Sequence, residues 1–236
     1  MNDIIFEIGG SFMKIQTEKD YSKKYMKMAR FIDATKQIIE TEGIENITIR
    51  KVSEVAGFNS ATIYHYFDNL DELIYFSAIG YTSDYVKDLH GYISKYDNYI
   101  DRYFSVWECF CNHAYRNPKV WKLLFSGKFT EQNTCSYYNT YYKIFPSEMS
   151  DEVMEFRDML TTDSLYEREY LALKKSLKYS NIDISDDIIH EINQMNLLIY
   201  NGMLSYIIDN PESDVNLAVE KTIAFMKKTL SAFNIL

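Results

Sequence analysis

The sequence is poor in the residues that interrupt helices. Its 236 residues include 8 Gly and 3 Pro, whereas average usage of about 7% and about 5% would give about 17 and about 12. Strand-rich folds need many such residues at their turns. The scarcity therefore disfavours β-sandwiches, β-barrels, collagen-like chains and low-complexity proteins, and it favours long helices that are joined by short loops.

Long apolar runs and a cysteine framework are also missing. No apolar stretch approaches the roughly 20 residues that cross a bilayer, and the acidic start lacks the basic segment of a signal peptide. The three cysteines, Cys109, Cys111 and Cys135, are odd in number, and two of them are spaced i,i+2 in a helical pattern. We therefore expect reduced thiols in a cytoplasmic protein that has no membrane partner.

No set of residues has the spacing that catalysis or metal binding needs. The four histidines show no metal-ligand spacing with one another or with cysteine, and Gly-rich phosphate loops, nucleophile elbows and HExxH are absent. We interpret Glu167 and Glu169 as a charged helix face rather than a catalytic pair. We therefore expect no enzyme, no metal and no cofactor; an all-α enzyme or carrier with a fortuitous DNA-binding motif is a minor alternative.

Positive charge is scarce overall but locally concentrated. The formal net charge is −9, from 25 Lys and Arg against 34 Asp and Glu, which argues against a general nucleic-acid coat protein. Residues 22–70 nevertheless hold seven Lys or Arg against six acids, and Lys23, Lys24, Lys27 and Arg30 cluster at the start of this segment. This distribution is compatible with one face that docks on a polyanion.

Apolar residues recur at helical spacing along most of the chain. The helices that this pattern predicts cover 22–41, 48–56, 60–67, 69–90, 94–115, 118–128, 131–145, 151–160, 163–179, 186–209 and 213–233. Their predicted N-caps include Thr48, Ser60, Asn69, Ser185 and Ser213, and Gly43 and Gly57 are predicted stops. The chain is therefore predicted to be all-α.

The segment 48–67 has the pattern of a helix-turn-helix. Two short helices that cross steeply need a small residue where they touch and a Gly at the turn, and Ser53 and Gly57 have the right positions. The shared core would come from Val52, Phe58, Ile63 and Phe67. The second helix of such a unit lies in the major groove of DNA and presents its first residues to base edges.

The outward face of that second helix carries groups that suit DNA. At 3.6 residues per turn, Ser60, Ala61, Tyr64 and His65 lie opposite Ile63, and their hydroxyl and methyl groups can meet phosphates or thymine. The residues that we expect to contact DNA are Thr48, Arg50, Lys51, Ser60, Ala61, Thr62, Tyr64 and His65. The alternatives are solvated surface positions for Arg50 and His65, a supporting aromatic role for Tyr64, and helix capping by Ser60.

These residues resemble the DNA-binding domain of the tetracycline-repressor (TetR) family of transcriptional regulators. The similar residues are Ile47-Thr48-Ile49-Arg50, the spacing from Ser53 to Gly57, Asn59-Ser60-Ala61-Thr62-Ile63-Tyr64-His65-Tyr66-Phe67, and Asn69-Leu70-Asp71-Glu72-Leu73. The likeness covers roughly residues 25–85. Leu70 departs from it, because the family usually has at this position a Lys that touches phosphate. This puts the affinity for DNA in doubt; Lys23, Lys24, Lys27 or Lys51 can offset the loss.

The resemblance implies three regions: an arm (1–21), a DNA-binding domain (22–85, with its motif at 48–67) and a helical domain for effector binding and dimerisation (86–236). The arm holds only Lys14 and Lys19, so a disordered or packing tail is expected rather than a minor-groove contact. Aromatic residues crowd the middle helices and suit a cavity for an apolar or cationic aromatic ligand, although ordinary core packing is the alternative. The residues expected to line this cavity are Trp107, Phe110, Cys111, His113, Tyr138 and Tyr141.

The last two predicted helices are long and amphipathic. Each has more apolar surface than one neighbour can cover, and pairing with a second copy as a four-helix bundle would bury it. Packing within one chain is the alternative. The sequence therefore predicts a homodimeric, ligand-responsive repressor that binds a palindromic operator on double-stranded DNA and is released by a small apolar or aromatic effector. The alternative function is an inducer-independent DNA-binding protein that organises or marks chromosomal sites.

Overall fold

The structure, a computed structural model, describes residues 18–125, 134–148, 151 and 164–236. These residues form helices and connecting loops without a β-strand, which confirms the all-α prediction. The helices are α1 (Glu18–Glu42), α2 (Ile49–Ala56), α3 (Leu70–Ile93), α4 (Tyr99–Arg116), α5 (Pro118–Phe125), α6 (Thr134–Ile144), α7 (Leu165–Tyr179), α8 (Asp186–Asp209) and α9 (Val215–Ala232). Shorter 3₁₀ segments cover Ile44–Asn46, Ser60–His65 and Pro146–Glu148.

Some predictions fall on residues that the structure does not describe. Most of the arm, at 1–17, and nearly all of the predicted helix over 151–160 lie outside the described residues. Within the described part, no helix combines the length and the apolar character that crossing a membrane requires.

The amino-terminal helices share one small core. Helix α1 packs on both α2 and α3, and Phe31 and Val52 are fully buried where they meet. The Phe31 ring lies 5.0 Å from that of Phe58 and 6.4 Å from that of Phe67. Burying side chains of this size contributes about 1.5–3 kcal/mol each relative to leaving them exposed. The predicted inner face of the helix-turn-helix is thus the core of this unit.

The turn after α2 explains why a small residue and a glycine are needed there. Gly57 has a φ of 73°, in the left-handed region, which costs a residue with a side chain about 1–2 kcal/mol. Ser53, which is buried against the turn, accepts the backbone N–H of Phe58 at its carbonyl oxygen over 3.0 Å. The chain therefore reverses within three residues and places the next segment across α2.

Three predicted N-caps are confirmed. The side chain of Thr48 accepts the backbone N–H of Lys51, that of Asn69 accepts the N–H of Glu72, and that of Ser185 accepts the N–H of Ile188. Each bond satisfies a donor that the first turn of a helix leaves unpaired.

Two predicted N-caps were wrong by one residue. Asn59, not Ser60, caps the third segment by accepting the N–H of Ala61 over 2.9 Å. Asp214, not Ser213, caps α9 by accepting the N–H groups of two residues. In both pairs the cap is Asn or Asp, whose side-chain oxygen lies one bond further from the backbone than a serine hydroxyl. The cap residue has an extended backbone directly before the helix, and from there this oxygen reaches the free N–H groups.

Two helix predictions were also corrected. The segment predicted as a helix over 60–67 is a 3₁₀ helix of six residues, Ser60–His65. Helix α3 continues past Gly91 to Ile93, and α4 begins at Tyr99 instead of 94. The later start of α4 follows from Asn98, whose side chain accepts the N–H of Asp101 over 2.7 Å.

The remaining helices form a bundle around α4. Helix α4 contacts α3, α5, α7, α8 and α9, and α8 packs on α7 and α9. The centre is aromatic: the rings of Trp121 and Tyr200 lie 4.9 Å and 5.2 Å from that of Phe110. Helix α3 runs from the amino-terminal unit into this bundle, so both units share one continuous element.

Candidate nucleic-acid interface and inner cavity

The 3₁₀ segment presents one side to solvent and buries the other. Tyr64 is 57% exposed, whereas Ile63 is fully buried and Phe67 nearly so. Because a 3₁₀ helix has three residues per turn, Ala61 lies on the same side as Tyr64, and both are exposed. The predicted contact residues that this segment leaves fully or partly exposed are Ser60, Ala61, Thr62, Tyr64 and His65. Their contact with DNA stays a prediction.

The basic residues at the start of α2 are held by exposed ion pairs. The Nε atom of Arg50 lies 2.9 Å from Oε1 of Glu54, and the Arg50 side chain is 87% exposed. The Nζ atom of Lys51 lies 2.6 Å from Oε2 of Glu42. Surface pairs of this kind contribute at most about 1 kcal/mol, so both cations can exchange their carboxylate for a phosphate at little cost. Thr48 is exposed beside them.

A basic groove lies beside the 3₁₀ segment. It is open, has a volume of about 920 Å³, and its described lining contains no acidic side chain. Its walls are formed by Lys23, Lys24, Met26, Lys27 and Arg30 of α1 together with Phe58, His65 and Tyr66. The guanidinium of Arg30 lies 5.4 Å from the centre of the Phe58 ring, which fixes its position over the groove. We name this surface the basic groove.

The eight residues predicted to contact DNA do not include the four cations of the basic groove, although Lys23, Lys24 and Lys27 were expected to offset the phosphate contact that Leu70 lacks. Their clustering is visible in the sequence, but their place beside His65 depends on how α1 crosses the helix-turn-helix. The basic groove adds four positively charged side chains next to the exposed side of the 3₁₀ segment. A duplex that meets Tyr64 would therefore bring a phosphate strand close to α1.

Leu70, the departure from the family pattern, is partly buried against the core at the start of α3. The beginning of this helix is acidic: Glu72 accepts the backbone N–H of Asp68, and Asp71 lies in the same turn. Burial raises the pKa of the Glu72 carboxyl. The start of α3 thus offers no cation to a phosphate, and the positive charge of this face comes from α1 and α2.

A second candidate site is a small cavity in the bundle, between α3, α4 and α7. Its volume is about 50 Å³. Its walls are mostly aromatic or aliphatic, and it also contains one carboxylate and one guanidinium. The lining residues are Tyr85, Tyr103, Val106, Trp107, Phe110, Leu165, Arg168, Glu169 and Ala172. We name this space the inner cavity.

The structure brings only two of the six predicted effector residues into the inner cavity, Trp107 and Phe110. Cys111 is buried near Tyr115, and burial raises the pKa of its thiol to about 12. His113 is partly buried, with Nε2 at 3.0 Å from Oδ2 of Asp88.

The two predicted tyrosines lie elsewhere. Tyr138 is buried beneath Arg168, whose guanidinium is 5.9 Å from its ring centre, and so neighbours the inner cavity without lining it. Tyr141 contacts α1, where its hydroxyl accepts from Lys36 over 2.7 Å. Helix periodicity could identify these aromatic residues, but it could not say which side of a buried helix faces open space.

Glu169 is the main residue of the inner cavity that the sequence did not reveal. It was expected on a charged helix face with Glu167, yet it is only 4% exposed, while Glu167 lies at the surface. The Tyr103 hydroxyl donates a hydrogen bond to its Oε1 atom, and Trp107 donates to that hydroxyl over 3.2 Å. Burial raises the pKa of Glu169 to about 7. No group of three potential metal ligands occurs in the described part of the chain.

An exposed apolar face covers one side of α8 and α9. Leu198 is 72% exposed, Tyr206 54%, and Leu217 and Phe225 are each close to half exposed. They surround a shallow depression of about 660 Å³ that also includes Gly202. The other side of α8, with Ile189, Ile192 and Ile207, is buried in the bundle. Packing within the chain therefore covers one apolar side of this helix pair and leaves the other exposed.

Comparison with known proteins gives a family match at the amino-terminal unit. Residues 31–74 match the family of bacterial regulatory proteins described as the tetR family. The matched stretch includes about the second half of α1, all of α2 and the 3₁₀ segment Ser60–His65, and the beginning of α3. No curated protein matches the chain in sequence.

Solved structures are similar to the chain over most of its length. FadR of Thermus thermophilus, a TetR family transcriptional repressor in complex with lauroyl-CoA, has a TM-score of 0.51 and 10% identity, over 86% of this chain and 94% of its own. RolR in complex with resorcinol has a TM-score of 0.51 and 15% identity, over 90% and 94%. A protein of unknown function from Rhodococcus sp. RHA1 has a TM-score of 0.55 and 11% identity, over 86% and 94%. These likenesses show a shared fold.

Proposed function

We propose that the chain is a ligand-responsive transcriptional repressor and not an enzyme, because residues 31–74 match the family of bacterial regulatory proteins described as the tetR family. The observation that carries the proposal is the exposed side of the 3₁₀ segment, with Tyr64 outward and Ile63 buried, next to the basic groove. Phosphates would be contacted by the cations of α1 and by the Tyr64 hydroxyl, and base edges by Ala61, Thr62 and Arg50. Such a protein acts on the chromosome, in the cytoplasm.

The proposed active form is a homodimer. The apolar face of α8 and α9 suits a second copy of the same face, because two helix pairs related by a two-fold axis form a four-helix bundle. Two helix-turn-helix units in such a dimer would read a palindromic operator, with half-sites about one DNA turn apart.

The proposed effector site is the inner cavity. The fold is shared with a repressor that binds lauroyl-CoA and with a protein that binds resorcinol, which supports an apolar or aromatic effector inside the bundle. In this proposal α3 and α4 have two arrangements, which differ in the spacing of the two DNA-binding units of the dimer. An effector that binds one arrangement more tightly stabilises it, by a free energy equal to the difference between its binding free energies for the two.

One observation favours a second candidate function. The inner cavity measures about 50 Å³, whereas drug-sized ligands occupy about 300–1,000 Å³. A protein whose bundle stays closed would be an inducer-independent DNA-binding protein that organises or marks chromosomal sites. Release of bound DNA by a small molecule separates the two functions.

The proposed function is tested by DNA binding of Tyr64→Phe. We expect the wild-type protein to bind the duplex upstream of its own gene, and we expect the variant to bind both this and a random duplex about tenfold more weakly, because a hydrogen bond to a charged group is lost. Arg50→Ala should in addition reduce the preference between the two duplexes. Fluorescence anisotropy with labelled duplexes gives the affinities.

The matched control is Tyr96→Phe, which removes an exposed tyrosine hydroxyl outside the DNA-binding unit. It should bind both duplexes like the wild type. A wild-type protein that binds neither duplex at low ionic strength would refute the function, and unchanged affinity of both Tyr64→Phe and Arg50→Ala would refute the roles given to these residues.

A further inference from the structure

The inner cavity contains a buried carboxylate whose hydrogen bonding is incomplete. Oε1 of Glu169 accepts from the Tyr103 hydroxyl and, over 3.3 Å, from the side-chain amide of Asn196. Oε2 of Glu169 has no hydrogen-bond partner among the described residues, and neither has Oδ1 of Asn196. Two buried acceptors thus lie in one cluster without a donor. Buried acceptors are normally satisfied, so the cluster suits a ligand that brings N–H or O–H groups.

The donors around Glu169 are already committed to other bonds. The Tyr103 hydroxyl gives its hydrogen to Glu169 and accepts from Trp107 and, over 2.8 Å, from Asn196. The guanidinium of Arg168 lies over aromatic rings, 5.1 Å from the centre of Phe125. The described protein donors of this cluster therefore bond to Oε1, and Oε2 is buried without a hydrogen-bond partner among the described residues.

The walls of the inner cavity favour positive charge for a second reason. Tyr85, Trp107 and Phe110 form an aromatic cluster, with ring centres 5.6 Å apart for both the Tyr85–Phe110 and the Trp107–Phe110 pairs. The faces of aromatic rings attract cations, and the attraction increases where water is excluded. A cation at Glu169 would therefore gain from both the carboxylate and the rings. An anionic ligand could pair only with Arg168, the one cation of the described lining, whose guanidinium lies over the rings of Phe125 and Tyr138, and it would leave Oε2 of Glu169 unsatisfied.

We propose that Glu169 recognises the head group of a nitrogen cation with N–H donors, an amine or an amidine, carried on an aromatic or short alkyl body. Two N–H groups of this cation would satisfy Oε2 of Glu169 and Oδ1 of Asn196, and its remaining N–H groups would face the rings. The volume of about 50 Å³ suits such a head group, with the apolar body directed along Val106 and Leu165. This inference deepens the proposed ligand-responsive function and rests on it.

Three ligands that share one ring and differ in the head group test the proposal. These are 2-phenylethylamine, which is a cation at neutral pH, 2-phenylethanol, which is neutral, and phenylacetate, which is an anion. Isothermal titration of the full chain, together with its tryptophan fluorescence, to which Trp107 and Trp121 both contribute, measures binding. We expect the amine to bind at least tenfold more tightly than the alcohol, and we expect no binding of the acid at millimolar concentration.

The variant Glu169→Gln keeps the shape of the side chain and removes its charge. It should bind the amine at least tenfold more weakly than the wild type, while its circular dichroism spectrum and melting temperature show that it is folded. The matched control is Glu167→Gln, which removes an exposed carboxylate two residues away on the same helix and should leave binding unchanged. A folded Glu169→Gln protein that keeps the wild-type affinity for the amine overturns the proposal.

The same samples separate this inference from the proposed function. If the alcohol or the acid binds as tightly as the amine and releases DNA, the protein is a ligand-responsive regulator and the cation inference is wrong. If the amine binds through Glu169 without any effect on DNA affinity, the binding site stands and the ligand-responsive function fails. A wild-type protein that binds none of the three ligands at millimolar concentration also overturns the inference.

Discussion

Glu169 shows at the scale of one residue what helical periodicity can and cannot predict. Its neighbour Glu167 has the exposure expected of a charged helix face, whereas Glu169 is buried. The groups that bond it, Tyr103 and Asn196, are 66 and 27 residues away in the sequence. A pattern within α7 contains no information on these distant partners. The exposure of Tyr64 could be predicted because Ile63, which is buried on the opposite side, lies in the same short segment.

The burial of Glu169 predicts a pH-dependent stability. Its pKa is raised to about 7 by burial, so between the ordinary pKa of 4.5 and pH 7 the folded state binds more protons than the unfolded state. Stability from this group is therefore fully present below pH 4.5 and is lost as the pH rises through about 7. We expect Glu169→Gln to gain roughly 2–3 kcal/mol relative to the wild type between about pH 5 and pH 8, as measured by urea unfolding.

The control for this titration is again Glu167→Gln, whose stability relative to the wild type should be the same at both pH values. Tyr103, Arg168 and Asn196 surround Glu169 in the variant as in the wild type, so their contribution cancels in the difference. A Glu169→Gln protein whose relative stability does not change between the two pH values would show that the carboxyl is ionised throughout this range.

At the scale of helices, the presence of each described helix could be predicted, while exact ends, the 3₁₀ form of one segment and the cavity-facing side of the buried helices could not. Both cap corrections concern adjacent polar residues, Asn59 with Ser60 and Asp214 with Ser213. Either residue of such a pair can cap a helix, and the geometry of the incoming loop decides between them. The 3₁₀ form of Ser60–His65 was likewise not visible in the sequence, because a segment with a single buried residue, Ile63, fits several helix types.

The exposed apolar face of α8 and α9 leads to a prediction about dimerisation. Leu198 is the most exposed large apolar residue of this face, so Leu198→Glu would place a charge at the centre of the proposed dimer contact. We expect the dimer dissociation constant to rise by about 100-fold or more, as for a central interface residue. Sedimentation velocity over a range of concentrations measures it.

Leu171→Glu is the matched control for this change, because Leu171 is 54% exposed on α7, away from that face. It should leave the dissociation constant unchanged. A wild-type chain that sediments as a monomer at all concentrations, or a Leu198→Glu protein that remains fully dimeric, contradicts the proposed interface.

At the scale of the whole molecule, a polar bridge joins the amino-terminal unit to the bundle. Lys36 of α1 donates to the hydroxyl of Tyr141 on α6, which donates to Glu148 over 2.7 Å. Ser83 of α3 donates to the same carboxylate over 3.0 Å. Gly80 leaves the space that the Lys36 side chain occupies, because a Cβ atom there would collide with it. A movement of α1 relative to the bundle must therefore either break these hydrogen bonds or move Tyr141 and Glu148 together with Lys36.

The bridge predicts a stability effect without an effect on DNA contact. Tyr141→Phe removes the hydroxyl that accepts from Lys36, and we expect a loss of about 1–2 kcal/mol in the free energy of unfolding because partly buried partners are left unsatisfied. Affinity of the ligand-free protein for DNA should stay within about twofold, since Tyr141 is not one of the residues that line the basic groove. Urea unfolding and anisotropy measure the two quantities, with Tyr96→Phe as control; an unchanged unfolding free energy would show that the bridge adds no stability.

The shortness of the 3₁₀ segment limits how much sequence the protein can read. Six residues at a rise of about 2.0 Å each extend over about 12 Å, the height of between three and four base pairs at about 3.4 Å each. Two copies would then read about seven base pairs directly. A sequence of this length occurs by chance many times in a chromosome of millions of base pairs. Selection of one operator would thus depend on the stiffness and groove width of the DNA between and beside the half-sites.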